Sequence, residues 1–129
     1  MASCSKTEHA DELTINEAAW KKANIQAYEF TLRVACFCPA ETVGPHKIRV
    51  QADTIVSVNG LPYLRGVSRK LPTLSELFSF IRESDARKPY KKTITYHPTF
   101  GFPEYLFYDF SEQIADEEIA YTVTEFKKN

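Results

Sequence analysis

From Tyr28 to Cys38 the chain reads Y-E-F-T-L-R-V-A-C-F-C, with apolar residues on every second position. Side chains of an extended strand point alternately to its two faces, so this spacing predicts a half-buried β-strand. Tyr28, Phe30, Leu32, Val34, Cys36 and Cys38 share the face that must be core. Glu29, Thr31 and Arg33 occupy the other, joined by Ala35 and Phe37. Pro39 has no N–H to give a ladder and stops the run. A strand this long and apolar on one face commits the chain to a sheet with one covered side.

The cover is announced by two T-x-x-E spacings, Thr14 to Glu17 and Thr73 to Glu76. In this box the threonine and the carboxylate each satisfy a free amide of the other's backbone, which starts a helix. The first helix is predicted over Ile15 to Ile25, with Ile15, Ala18, Ala19 and Trp20 as core contacts and Lys21 and Lys22 exposed. The second is predicted over Thr73 to Arg87, because Leu74, Leu77, Phe78 and Ile81 recur at i, i+3, i+4 and i+7.

The remaining strands are read the same way. His46 to Gln51 alternates and should pair antiparallel with the first strand; Ala52-Asp53 turns it into Thr54 to Asn59, which Gly60 ends. Leu61 to Leu71 has no stable period and reads as a crossing loop. Thr93 to Tyr96, Glu104 to Phe110 and Ile119 to Lys127 are the later strands, separated by the loop His97 to Pro103 and the acidic loop Glu112 to Glu118. The expected fold class is α+β: about six antiparallel strands with two helices on one face. The order helix, three strands, helix, three strands has the form of a tandem α-β-β-β repeat, an order that common α+β grammar also produces without duplication.

At 129 residues the chain forms one domain and buries roughly two-thirds of its unfolded surface, so no covalent staple is required. A net charge of -1 lacks the basic footprint of a nucleic-acid binder. Arg82, Arg87, Lys88, Lys91 and Lys92 cluster only at a helix end, where cations complement the helix dipole. No apolar run reaches membrane-spanning length. Met1-Ala2-Ser3-Cys4, followed by polar Ser5 to Glu12, resembles the end of a bacterial lipoprotein signal, in which small residues precede the lipidated cysteine. On that reading residues 1–13 are a flexible tether lipidated at Cys4 and 14–129 the domain. The plainer reading is a cytosolic start with a stray cysteine.

Four segments together resemble a known family: the early helix with Trp20, Tyr28 to Cys38 ending in C-F-C, Tyr96 to Asp109 with its G-F-P core, and Asp116 to Phe126. In this order they are similar to the DUF6174 family of bacterial lipoprotein-type domains of unknown function. The resemblance implies an exported domain, membrane-anchored as a lipoprotein in the periplasm or at the cell surface. It carries over no catalytic residue.

Cys36 and Cys38 are the one constellation with chemical content. At i and i+2 of a strand their Cα atoms lie about 6.5 to 7 Å apart, at the edge of disulfide reach. They read as a disulfide, which a local bend or bulge at Phe37 would permit and which would aim Phe37 and the loop to Pro45, as two buried thiols, or, with His46 across the loop, as a Cu(I) or Zn(II) site. His97, before Pro98, reads as a turn residue ahead of a catalytic one. Asp109, Asp116, Glu117 and Glu118 lack calcium-loop spacing and read as an acidic turn. No nucleophile elbow, zinc helix or phosphate-cradling loop is present in the sequence, and only 4 Gly occur. Phe107, Tyr108 and Phe110 add to an aromatic excess from which Tyr63, His97, Phe100, Phe102 and Tyr105 are the candidate binding surface, against the plainer reading of a large aromatic core. The layout is also similar to small periplasmic proteins of the β-lactamase-inhibitor-protein type, which bind other proteins on a curved sheet.

The functional expectation is therefore a non-catalytic binding or interaction module without cofactor. Its partner would be a protein or small molecule and not nucleic acid, and it would touch a membrane only through Cys4. The alternative is a thiol-based metal carrier or redox protein using Cys36 and Cys38.

Overall fold

The computed structural model describes residues 11–64, 66–68, 70–113 and 117–129. In chain order the elements are α1 (Glu12–Ala23), β1 (Tyr28–Cys36), α2 (Ala40–Val43), β2 (His46–Gln51), β3 (Thr54–Val58) and β4 (Leu61–Pro62). They continue as α3 (Leu74–Ala86), β5 (Lys91–Tyr96), β6 (Pro103–Asp109) and β7 (Glu118–Lys128). The strands form one antiparallel sheet of order β4-β3-β2-β1-β7-β6-β5. Among the described residues the fold is mostly sheet and α+β, with seven strands and three helices where the sequence suggested about six and two. The extra strand is Leu61–Pro62, inside the predicted crossing loop, and the extra helix is one turn within the Pro39 to Pro45 loop.

β1 holds the centre because it is the strand with an uninterrupted apolar face. Tyr28 lies opposite Val50 and Phe30 opposite Ile48 on one side; Leu32 lies opposite Val123 and Val34 opposite Tyr121 on the other. Both helices cover this face. Trp20, Phe30, Leu32, Val34, Ile48, Leu77, Phe78 and Ile81 join one buried core, extended by Phe102, Leu106 and Tyr108 from β6 and its approach. The two helices also meet each other: the Trp20 indole N–H donates to Ser75 Oγ at 3.1 Å, and Arg82 of α3 pairs with Glu17 of α1.

The start of α1 differs from the expectation. Asp11, not Thr14, is the N-cap, its carboxylate accepting the Thr14 N–H at 2.8 Å, a bond that holds the carboxyl below its ordinary pKa. Glu17 is thereby free of capping and reaches Arg82 and Lys21. Ile15, Ala18 and Ala19 turn outward, leaving Trp20 as the buried residue of the helix. α3 follows its sequence signal: Thr73 and Glu76 close the capping box in both directions. The Tyr28 hydroxyl accepts the Leu74 N–H at 3.0 Å, so the first residue of β1 also caps this helix.

Two local devices shape the sheet. β7 carries a bulge where its register with β1 shifts between Glu29 and Thr31, with Glu125 at φ 54; the Thr31 hydroxyl donates to Glu125 at 2.8 Å. Phe126 beside it turns into the aromatic group of Trp20, Tyr28, Phe100 and Phe102. Gly101, at φ +84, lets the loop before β6 press on α1, since a Cβ there would stand 2.3 Å from the Asn16 carbonyl oxygen.

Burial pushes the Tyr96 phenol up to about 12 and raises Tyr28, Tyr108 and Tyr121 as well. Tyr108 donates to Asp85 at 2.8 Å, which reinforces its neutral form. These phenols are raised above an unfolded value near 10, so their contribution to stability is complete below about pH 10 and declines as pH rises toward 12 and beyond. An alkaline titration is expected to show Tyr28, Tyr96, Tyr108 and Tyr121 ionising together with loss of far-ultraviolet circular dichroism. Independent ionisation of all four with the fold intact would contradict the packing.

Candidate functional site

β1 pairs with β7 up to Cys36 opposite Ile119 and stops. The reason is covalent: Cys36 and Cys38 are disulfide-bonded, with Cα atoms 5.3 Å apart. That is shorter than two residues of extended strand, so the chain must bend at Phe37. Phe37 consequently leaves the sheet and stands 84% exposed, more than any other large hydrophobic residue among those described. It belongs neither to the core face nor to the polar face on which alternation places it.

Two clefts flank Phe37. One, of about 270 Å³, is lined by Cys36, Phe37, Phe80, Arg87, Phe110, Glu117, Glu118 and Ile119. The other, of about 420 Å³, opens on the uncovered sheet face between Ala35, Phe37, Tyr105, Phe107, Glu118, Ile119 and Ala120. Their walls are built by packing. Phe110 stacks on Tyr108 at 5.5 Å and carries the Arg87 guanidinium 3.7 Å above its ring; Arg87 also pairs with Glu117 at 3.5 Å. Phe80 lies edge-on to Tyr108 and Tyr121. The site is an exposed aromatic on a covalently fixed bend, with aromatic walls and a charged rim.

The sequence-derived site residues are not brought together. His46 is buried on β2, and its Nε2 donates to the Thr42 carbonyl at 2.8 Å, tying α2 to the sheet. It lies opposite Leu32, four residues or roughly 13 Å along β1 from Cys36. The thiols bond each other and the imidazole faces elsewhere, so these three do not form a metal site. Among the described residues no group of three or more His, Cys, Asp and Glu could hold a metal ion. Cys4 and Asp116 lie outside the described residues.

His97 is a turn residue. Its Nδ1 accepts the Thr99 and Phe100 N–H groups at 3.2 and 3.0 Å, and its ring stacks on Phe100 and Phe102. Phe102, expected at a surface, is 1% exposed and belongs to the core under Trp20. Phe100 packs on Phe126, and Tyr63 sits at the far edge, its hydroxyl accepting the Leu71 N–H. Of the five residues expected to form the binding surface, Tyr105 alone borders the Phe37 clefts. The basic cluster is dispersed over carboxylates: Arg82 to Glu17, Arg87 to Glu117 and Lys92 to Asp85. Glu117 and Glu118 line the cleft beside Phe37. Sequence reading counted Phe110 in the aromatic excess but did not place Phe37, Phe80 or Ile119 in a site. The available signal was an aromatic on the polar face of β1, enclosed by two cysteines.

The Cys36–Cys38 ring is too short for a large entropic effect; loop closure over so few residues gives about 1.6 kcal/mol at most. Reduction is therefore expected to leave the core folded with a small drop in melting temperature. Hydrogen exchange should quicken only between Pro39 and Pro45. Global unfolding on reduction would show that the bond holds the domain together.

The architecture and site define a class: a small α+β domain with an antiparallel sheet covered on one face by helices and carrying a disulfide-closed bend at the end of its central strand. The chain belongs to the Family of unknown function (DUF6174), whose model matches residues 12–128. No curated protein and no solved structure matches it.

Proposed function

We propose that the protein is a non-catalytic binding module that docks a polypeptide partner through Phe37 and its flanking clefts, and that it works outside the cytoplasm, tethered by a lipid on Cys4. The observation that carries this reading is the exposure of Phe37 on a bend closed by a disulfide. Small-molecule sites are concave, whereas a fixed aromatic knob between two grooves suits a protein surface that supplies the complementary pocket. A disulfide within so short a ring suits an oxidising compartment, and small residues before Cys4 suit a lipoprotein signal. The tandem order of the two halves, β3-β2-β1 beside β7-β6-β5, fits a duplicated α-β-β-β unit.

Photo-crosslinking from position 37 in the native host, with a control position at Lys47 on the open face, tests the docking. A single adduct from position 37 that is absent from position 47 supports it; no adduct, or the same adducts from both, rejects it. Mass spectrometry of the native protein tests the tether, because an unmodified Cys4 would remove it.

A further inference from the structure

The register of the sheet leaves a place for residue 37 that residue 37 does not occupy. β6 pairs with β7 as far as Asp109 opposite Glu118, whereas β1 pairs with β7 only to Cys36 opposite Ile119. β7 thus runs one residue beyond its partner, and continuing the same ladder sets Phe37 opposite Glu118. Alternation then decides the face. Ala35 lies opposite Ala120 and Ala120 opposite Phe107, so these three side chains form one row on the uncovered side of the sheet. An extended Phe37 stands on that same side, in the next row.

The cleft of about 420 Å³ is the space that such a Phe37 fills. Its lining includes Ala35, Phe107, Glu118 and Ala120, the neighbours that the register assigns to position 37, with Tyr105 beyond them. The two alanines make a low floor that leaves room for a phenyl ring. What keeps the ring out is the bond: with Cα atoms 5.3 Å apart, Cys36 and Cys38 cannot both lie in extended chain. Phe37 itself is 84% exposed and has little contact of its own to hold it outward. Cys38 precedes Pro39, a position that disfavours helical backbone and favours the extended form once the bond opens.

We infer that Cys36–Cys38 is a redox latch on the docking site: with the bond closed Phe37 is presented, and with it open β1 lengthens along β7 and Phe37 folds into this cleft. Opening takes two electrons and two protons from a dithiol. Each cysteine sulfur becomes a thiol, and the dithiol leaves as its own disulfide. Seating covers the Phe37 ring and fills the cleft beside it, so the form with the open bond is the weaker binder. That the latch controls docking rests on the reading of Phe37 as the anchor; the movement itself does not.

Nuclear magnetic resonance of the chain without a partner, before and after reduction with dithiothreitol, tests the movement. On reduction the Ala35 and Ala120 methyl resonances should shift, and nuclear Overhauser contacts from the Phe37 ring to both methyls should appear. Cys36→Ser combined with Cys38→Ser should show the same contacts without a reductant; where that variant fails to fold, the reduced parent chain decides. In Phe37→Ala the two methyl resonances should stay in place on reduction. Absence of the contacts in the reduced chain, methyl shifts that persist in Phe37→Ala, or loss of the fold on reduction would overturn the inference. Because no partner is present, failed seating leaves the docking reading standing, and a failed photo-crosslink from position 37 leaves the seating standing.

Discussion

Replacing Trp20 with alanine is expected to lower the unfolding free energy by about 4 kcal/mol, within the range for truncating a buried aromatic. Against a total of roughly 5 to 15 kcal/mol for a domain, that is a large share. The size follows from how α1 is attached. Trp20 is 4% exposed and meets Tyr28, Phe102 and Phe126 edge-on at 5.4, 5.8 and 6.3 Å. Its indole N–H also continues through Ser75 to Asp53, joining α1 to α3 and to the β2–β3 turn. No other residue of α1 is buried. Trp20→Phe should cost less, about 1 to 2 kcal/mol, because it keeps part of the packing and loses the hydrogen bond. Ile15→Ala should change stability by less than about 0.5 kcal/mol, since Ile15 is exposed. Urea denaturation measures all three. A loss below about 1 kcal/mol for Trp20→Ala would mean that α1 is held by something other than this side chain.

That comparison also shows where the sequence was legible. β1 and β2 alternate without conflict, and the structure buries Tyr28, Phe30, Leu32 and Val34 with Ile48 and Val50 as their spacing requires. α3 was readable because one capping box and one apolar stripe agree. α1 was misplaced because Asp11 and Thr14 are both good N-caps; the earlier one is used, its carboxylate accepting the Thr14 N–H, and Glu17 is left to pair with Arg82, a contact distant in sequence. The helix then starts three residues sooner and Ile15 faces water. α2 spans four residues, too few for a period, and Pro39 caps it without a side-chain bond. β4 is two residues with a proline, invisible to alternation yet held by pairing with β3.

The site was legible in its chemistry and in part of its geometry. C-F-C identified the disulfide as one of three readings, with a bend at Phe37 as its condition, while the alternation placed Phe37 on the polar face of a continuing strand. Closing the bond removes that continuity, and the residue placed beside Ala35 becomes the tip of a bend. The aromatic excess went the other way. Phe102 and Tyr108 are interior because the helix face of β6 lies against α1 and α3, which the sequence alone did not reveal.

Phe37→Ala is expected to weaken partner binding by at least thirtyfold while leaving stability unchanged within about 0.5 kcal/mol. The two halves of this prediction rest on the same exposure: a side chain that touches little in its own fold contributes little to folding and has its whole surface to give to a partner. Anchors of this kind, seated in a desolvated pocket, carry about 2 kcal/mol or more of binding, which sets the thirtyfold floor. The flanking residues should matter less. Arg87 is spread over Phe110 and paired with Glu117, so Arg87→Ala should disturb the cleft and weaken binding less than loss of Phe37 itself. Reduction of Cys36–Cys38 separates the contribution of the ring from that of its bend. With the bond open, Phe37 keeps its surface but not its fixed direction, and binding should weaken severalfold through the added cost of ordering the segment. Isothermal titration with the partner captured from position 37 measures each case. Full affinity in Phe37→Ala would move the docking site off the bend, and a matching loss of stability would show that Phe37 serves the fold instead.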